Sequence, residues 1–159
     1  MMISESAEIR NHKSEMTLIF DIGKTNKKCF IFDENHQEVW RTYVQFDEIK
    51  DEDGFPCDDL KAIRKWIKKT TKQILNDKKW NIKSINFSTC GASFVHLDRN
   101  GKVVAPLYNY LKPYPADLLE QFYDDHGKEI TIAQQTASPS SGMLNSGLQL
   151  YWLKKTQPK

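Results

Sequence analysis

Residues 17–33 constrain the fold more than any other stretch. The run TLIFDI at 17–22 is apolar enough for a buried strand, GKTNKK at 23–28 is a tight polar turn, and CFIFD at 29–33 returns as a second strand. The chain therefore opens on a hairpin. Asn35 and His36 turn it again. Residues 39–46 then alternate, with Trp40, Thr42, Val44 and Phe46 on one face and Val39, Arg41 and Tyr43 on the other, the period of a third strand. The stretch 47–59 is acidic, contains Gly54 and Pro56, and reads as a loop that ends in Asp58 and Asp59, either of which can cap a helix. Within 60–76, Leu60, Ile63, Ile67 and Ile74 recur at helical spacing, with Lys61, Arg64, Lys65, Lys68, Lys69 and Lys72 opposite. IKSINFST at 82–89 reads as a fourth strand, and 94–97 as a fifth, joined through Asn100-Gly101 to 103–108. Helices are expected at 116–126, stopped by Gly127, and at 144–155, after the loop TASPSSG at 136–142.

Hairpinned strands, a helix and another strand make an α/β order in which the first three strands are antiparallel and the fourth returns by a helical crossover. This is the order of a ribonuclease H-like domain. At 159 residues there is room for about one domain and one core. Eight Phe, six Tyr and four Trp supply more large apolar surface than a disordered polymer carries. The 23 basic and 21 acidic residues leave a formal charge of +2, so charge alone argues for neither nucleic acid nor an anionic membrane. Cys29, Cys57 and Cys90 are far apart and outside any CxxC pattern, and read as plain thiols. Residues 1–15 are polar, without a signal-peptide core, and read as a flexible lead. No apolar run approaches the roughly 18 residues that a membrane span needs, so the expected location is the cytoplasm, with no membrane partner.

The most chemically suggestive segment is Asp21-Ile22-Gly23-Lys24-Thr25-Asn26-Lys27-Lys28. Asp21 closes a strand and can hold Mg²⁺ directly or through water. Gly23, with no Cβ, lets backbone N–H groups approach phosphate oxygens. Thr25 and Asn26 add neutral donors, and Lys24, Lys27 and Lys28 add positive charge. Such a turn can cradle a nucleotide, and it can also be no more than a polar hairpin turn.

The turn resembles the first phosphate motif of the sugar kinase, hexokinase, Hsp70 and actin superfamily, and later segments narrow the resemblance to the FGGY carbohydrate kinases. Residues 17–33 look like that family's opening hairpin, and 85–98 (INFSTCGASFVHLD) like its strand, sugar-contacting turn and strand. Residues 106–110 are similar to the stretch that passes back toward the sugar, and 136–153 to the segment that ends in a Leu- and Trp-rich helix. Thr89-Cys90-Gly91-Ala92-Ser93-Phe94 and Asn145-Ser146-Gly147-Leu148-Gln149-Leu150 look closest to rhamnulokinase-like members.

The resemblance implies an incomplete N-terminal domain of a two-domain enzyme that uses ATP and Mg²⁺ to phosphorylate a ketose. It carries nucleotide binding onto Asp21, Gly23, Lys24, Thr25, Asn26, Lys27 and Lys28, the metal onto Asp21, and sugar contacts onto Gly91 and Ser93. Ser93 stands where rhamnulokinases commonly carry Asp, and Leu111-Lys112 replaces a polar pair often ending in Asp. The family's catalytic Asp, second phosphate motif and adenosine motif match nothing in residues 16–159, so no catalytic base is assigned and the chain alone is expected to be inactive. The implied partners are the remaining portion of the kinase and, for the complete protein, a second copy in a homodimer.

A reading from another class is a small ribonuclease H-like binding module whose lysine-rich helix contacts nucleic acid. A solvated outer helix face accounts for those lysines as well. Asp51-Glu52-Asp53-Gly54 resembles a calcium loop only in part, lacking EF-hand spacing and the terminal Glu. His96 has no second ligand at metal spacing, Cys90 beside Gly91 reads as a buried small apolar side chain rather than a reactive thiol, and Tyr108, Tyr110 and Tyr114 read as packing residues rather than a stacking surface for a sugar.

Overall fold

The computed structural model describes residues 14–157. In chain order its elements are β1 (Met16–Ile22), β2 (Lys27–Phe32), β3 (Glu38–Val44), β4 (Ile49–Lys50), β5 (Pro56–Cys57), α1 (Leu60–Asn76), β6 (Ile82–Thr89), α2 (Ala116–His126), α3 (Glu129–Thr136), a 3₁₀ turn (Gly142–Leu144) and α4 (Ser146–Thr156). They gather into two compact units, one built from residues up to Gln45 with Lys65–Thr89, the other from Phe46–Arg64 with the residues from Cys90 on. Each unit has its own apolar cluster where a single core was expected.

The first unit is a four-stranded sheet in the order β3-β2-β1-β6. β1 pairs antiparallel with β2, β2 antiparallel with β3, and β1 parallel with β6, as the helical crossover requires. Alternation places Leu18, Phe20, Cys29 and Ile31 on one face, all fully buried. Trp66, Ile67 and Ile74 of α1 pack there, with Trp40, Trp80 and Ile82 completing the cluster. Phe20 meets Trp66 edge-on, with ring centroids 5.4 Å apart. Burying each of these large side chains stabilises by about 1.5–3 kcal/mol. The same burial pushes the Cys29 thiol up to about 12, which leaves it an inert packing group.

β6 differs from the strands beside it. It pairs only with β1 among the described strands, and its residues from Lys83 to Thr89 are exposed, the apolar Ile85 and Phe87 included. A parallel strand with bare apolar side chains and an open edge is a template for further pairing. The isolated chain is therefore expected to self-associate at micromolar concentration and to bind a hydrophobic dye. Lys placed at Ile85 and Phe87 should suppress both. A sharp monomer in sedimentation velocity without dye binding would contradict this.

In the second unit Asp59, not Asp58, caps α1, its carboxylate accepting from the Ala62 N–H at 3.0 Å. The expected strands at 94–97 and 103–108 are not formed. Only single bridges occur, Leu97 with Val103 and Asp58 with Leu107. The Asn100-Gly101 turn is present, with Gly101 at φ +75°. Beside it the Asp98 carboxylate accepts from the N–H groups of Asn100 and Lys102 at 2.8 and 2.9 Å, while Pro106 has no N–H to give a ladder. α2 has its expected bounds and ends at Gly127, φ +113°. α3 had no reading in the sequence because EITIAQQT carries little helical periodicity. α4 starts two residues later than expected: Asn145 caps it by accepting from Gly147 and Leu148, and 142–144 form the 3₁₀ turn instead. Tyr108, Met143 and Trp152 form this unit's buried cluster, with Tyr108 and Trp152 edge-to-face at 4.9 Å. No helix among the described residues is long and apolar enough to cross a membrane.

Candidate functional site

The hairpin turn is tighter than the sequence suggested, since β2 begins at Lys27 and leaves residues 23–26 as the turn. The Gly23 N–H donates to the Asn26 carbonyl at 3.1 Å, and a Cβ on Gly23 would stand 2.9 Å from that oxygen. Glycine is thus required here by the turn's own backbone. Asp21 at the end of β1 lies across from Lys28, with ammonium and carboxylate 3.5 Å apart and both side chains partly in water. This is a loose pair that leaves carboxylate lone pairs open to other partners. Thr25 is exposed.

Lys27 takes a different place from its neighbours. It is 2% exposed, and its ammonium donates to the Lys24 carbonyl at 2.8 Å, bracing the turn from inside. Two residues without a signal in the sequence also support the turn. Gln45 donates its amide to Asn26 Oδ1 at 2.8 Å, and the Thr89 hydroxyl at the end of β6 donates to the Ile22 carbonyl at 3.3 Å. The fold thus brings Asp21, Gly23, Lys24, Thr25, Asn26 and Lys28 onto one turn. A single, partly exposed carboxylate only loosely paired with Lys28 suits a Mg²⁺ that keeps most of its waters.

Gly91 and Ser93 lie on a second turn, residues 90–93. Gly91 is exposed, with nothing within 4 Å of where its Cβ would stand, so the protein's own packing gives no reason for glycine there. Ala92 is buried in the left-handed region at φ 57°, uncommon for a residue with a Cβ. Its carbonyl accepts from the fully buried Gln149 amide at 3.1 Å. Ser93 Oγ and Cys90 Sγ are 3.7 Å apart, and Cys90 is half-buried.

The acidic loop is tied to residues 107–112. The buried Lys112 ammonium donates to Asp51 Oδ2 and Asp53 Oδ2, each at 2.6 Å, so a cation of the chain itself sits between the carboxylates. Asp51 Oδ1 meanwhile accepts from the Asp53 and Phe55 N–H groups. Burial pushes the Asp51 carboxyl up, but the Lys112 hydrogen bond and these N–H groups outweigh it and hold the group below its ordinary value. Burial likewise opposes the Lys112 charge, yet the two carboxylates raise its pKa overall. Tyr108 donates its hydroxyl to Glu52, and Asn109 lies 3.5 Å from Glu48. Burial and the Glu52 hydrogen bond push the Tyr108 phenol upward. Tyr108 and Tyr114 pack as expected, Tyr114 donating to the Leu148 carbonyl at 3.0 Å. His96 lies between the rings of Phe94 and Tyr108, and burial lowers its pKa.

The mixed sheet β3-β2-β1-β6, with Asp21 beside its first hairpin turn, has counterparts among solved sugar kinases. A carbohydrate kinase from Novosphingobium aromaticivorans superposes with a TM-score of 0.76 at 22% identity, over 91% of this chain and 29% of that one. The ligand-bound xylulose kinase of Lactobacillus acidophilus superposes with 0.73 at 19% identity, over 91% and 29%. At these identities the likeness shows the fold alone, the ribonuclease H-like one that the strand order implied and that the resemblance of the turn placed with actin and hexokinase. In sequence, the rhamnulokinase of Mannheimia succiniciproducens is 31% identical over 117 residues, 69% of this chain and 23% of the relative. Residues 16–159 match the N-terminal domain of the FGGY family of carbohydrate kinases, and the chain belongs to that family. It spans between about a quarter and a third of the length of these relatives. None of them is described as a nucleic-acid binder, and nothing supports that reading of the lysine-rich face of α1.

Proposed function

We propose that this chain supplies the first phosphate-binding turn and one wall of the sugar pocket to a cytoplasmic, ATP-dependent ketose kinase, the remaining polypeptide providing the catalytic base and the adenosine site. The observation that carries the reading is the 21–28 turn. Asp21 is only loosely paired, the backbone is closed so tightly that only glycine fits at 23, and Lys28 stands beside the carboxylate. Asp21 would hold Mg²⁺, which neutralises charge on the phosphates when bound. The backbone at 24–26, the Thr25 hydroxyl, and Lys24 and Lys28 would grip phosphate oxygens, while Lys27 keeps the turn in shape from within. Gly91 would let a sugar approach the backbone, and Ser93 would offer its hydroxyl. Ser93 stands where rhamnulokinases commonly carry Asp, so the hydrogen bonds offered to the sugar at this point differ from theirs. The 31% identity to a rhamnulokinase supports a deoxyketose as the substrate class.

Titrating the isotope-labelled chain with Mg²⁺·ATP by NMR, in the Ile85→Lys/Phe87→Lys background that keeps it monomeric, tests the phosphate turn. Shifts confined to the 21–28 amides with Kd of about 1 mM are expected, since one turn acts without the rest of the cleft. Gly23→Val should abolish them, because its Cβ would drive the Asn26 carbonyl out of the turn. Gly91→Ala should fold as the parent does and leave ATP binding unchanged. Shifts spread elsewhere, or none at 10 mM ATP, would overturn the reading.

A further inference from the structure

The 90–93 turn stands in a conformation that its own sequence does not favour. Ala92 is at φ 57°, where a Cβ crowds the backbone, and it is buried. Residues 91–92 form a turn, and a further constraint on it comes from α4. Gln149 is fully buried, and its amide nitrogen donates to two carbonyls, Ala92 and Met143, each at 3.1 Å. Both N–H groups of the amide are used. Its Oε1 is buried and accepts no hydrogen bond among the described residues. The amide is therefore oriented wholly by what it donates, for a flip would set its oxygen against two carbonyl oxygens. Burying an acceptor unsatisfied costs stability, so an apolar side chain of the same shape would serve packing better. What glutamine adds is the fixed link between the strained carbonyl of the turn and the 3₁₀ turn ahead of α4.

We propose that Gln149 is a positioning residue: it holds the Cys90–Ser93 turn in its left-handed form and so fixes where Gly91 and Ser93 present themselves to a sugar. The sugar-facing part of this rests on the function proposed above, whereas the positioning itself does not. Gln149 also departs from the usual logic of a helix interior, where position 149, between the buried Leu148 and the exposed Leu150, would otherwise take an aliphatic side chain.

Cys90 makes the turn's conformation measurable without any ligand. It is half-buried in the turn, whereas Cys57 of the same unit and Cys29 are fully buried, so the three thiols of one chain report local and global opening separately. Alkylation by N-ethylmaleimide, followed site by site by mass spectrometry, would be compared in the full chain and in Gln149→Met, which keeps the volume and removes both donors. Cys90 should react about tenfold faster in the variant, the effect of losing a buried hydrogen bond or two, with Cys57 and Cys29 unchanged. Adding Ala92→Gly should return Cys90 toward the parent rate, because glycine holds a positive φ without the link. An unchanged Cys90 rate would overturn the proposal, as would a rise shared by all three thiols or a double variant as reactive as the single one. If Cys90 responds as expected but sugar affinity of the completed kinase is the same with Gln149→Met, the positioning stands and the sugar-wall reading of this turn fails.

Discussion

Joined to the polypeptide that completes the kinase, the chain carrying Asp21→Ala is expected to lose about 10³-fold in kcat, with KM for the sugar little changed. Phosphoryl transfer relies on a positioned metal to neutralise charge that develops between the phosphates, and removing such an element costs on this scale. The loss cannot be blamed on folding. Asp21 ends a strand, is partly exposed, and meets Lys28 at 3.5 Å, a surface pair worth no more than about 1 kcal/mol. The variant should therefore unfold within a few degrees of the parent. Asp21→Asn, which keeps the shape and removes the charge, should fall nearly as far. A kcat within tenfold of the parent would show that the carboxylate has no part in placing the metal. The 159-residue chain alone should transfer no phosphate to L-rhamnulose, L-fuculose or D-xylulose at any enzyme concentration that stays soluble.

Lys112→Met should destabilise the second unit by about 3 kcal/mol, because it strands a carboxylate. The Asp51 side chain has no solvent exposure and would be left facing its own loop without a cation. Asp53 is 63% exposed, so Asp53→Asn should cost less than about 1 kcal/mol, and the contrast between the two variants separates the buried pair from the surface one. The pair also sets a pH profile. Asp51 titrates in the folded chain below its ordinary 3.8, so its stabilisation is complete above that value and is lost as the pH falls through it. Lys112 titrates above its ordinary 10.5, so its share is complete below that value and is lost as the pH rises beyond it. Urea midpoints should be flat between about pH 5 and 9 and fall on the acid side, and Lys112→Met should remove most of that fall. A parent-like midpoint for Lys112→Met at pH 7 would mean the ion pair contributes nothing net.

Much of the first unit was legible in the sequence because its signals are local. Strand alternation depends on neighbours two residues apart, and the helical face of α1 on neighbours three and four apart, so β1, β2, β3, α1 and β6 can be read from spacing alone. The 21–28 turn could be found in the same way, as a polar break between two apolar runs. The residues of the second unit gave less. Residues 94–97 and 103–108 have the composition of strands, yet they share only a single bridge and the Val104 N–H to His96 carbonyl bond, while the N–H groups of Asn100 and Lys102 between them turn to Asp98. α3 has no apolar stripe to announce it.

The sequence by itself determined the α/β order, the hairpin, the glycine at its turn and the family, since each rests on residue types at short fixed spacing. Tertiary structure decided what the polar side chains do. Whether Lys27 faces phosphate or the Lys24 carbonyl depends on which side of β2 is buried, and whether Asp51 and Asp53 hold a cation from solution or Lys112 depends on a residue about 60 positions away. Gln149 reaches Ala92 across 57 positions. Hydrogen bonds act over about 3 Å while sequence patterns report only near neighbours, so contacts between distant segments become visible only when the chain is folded.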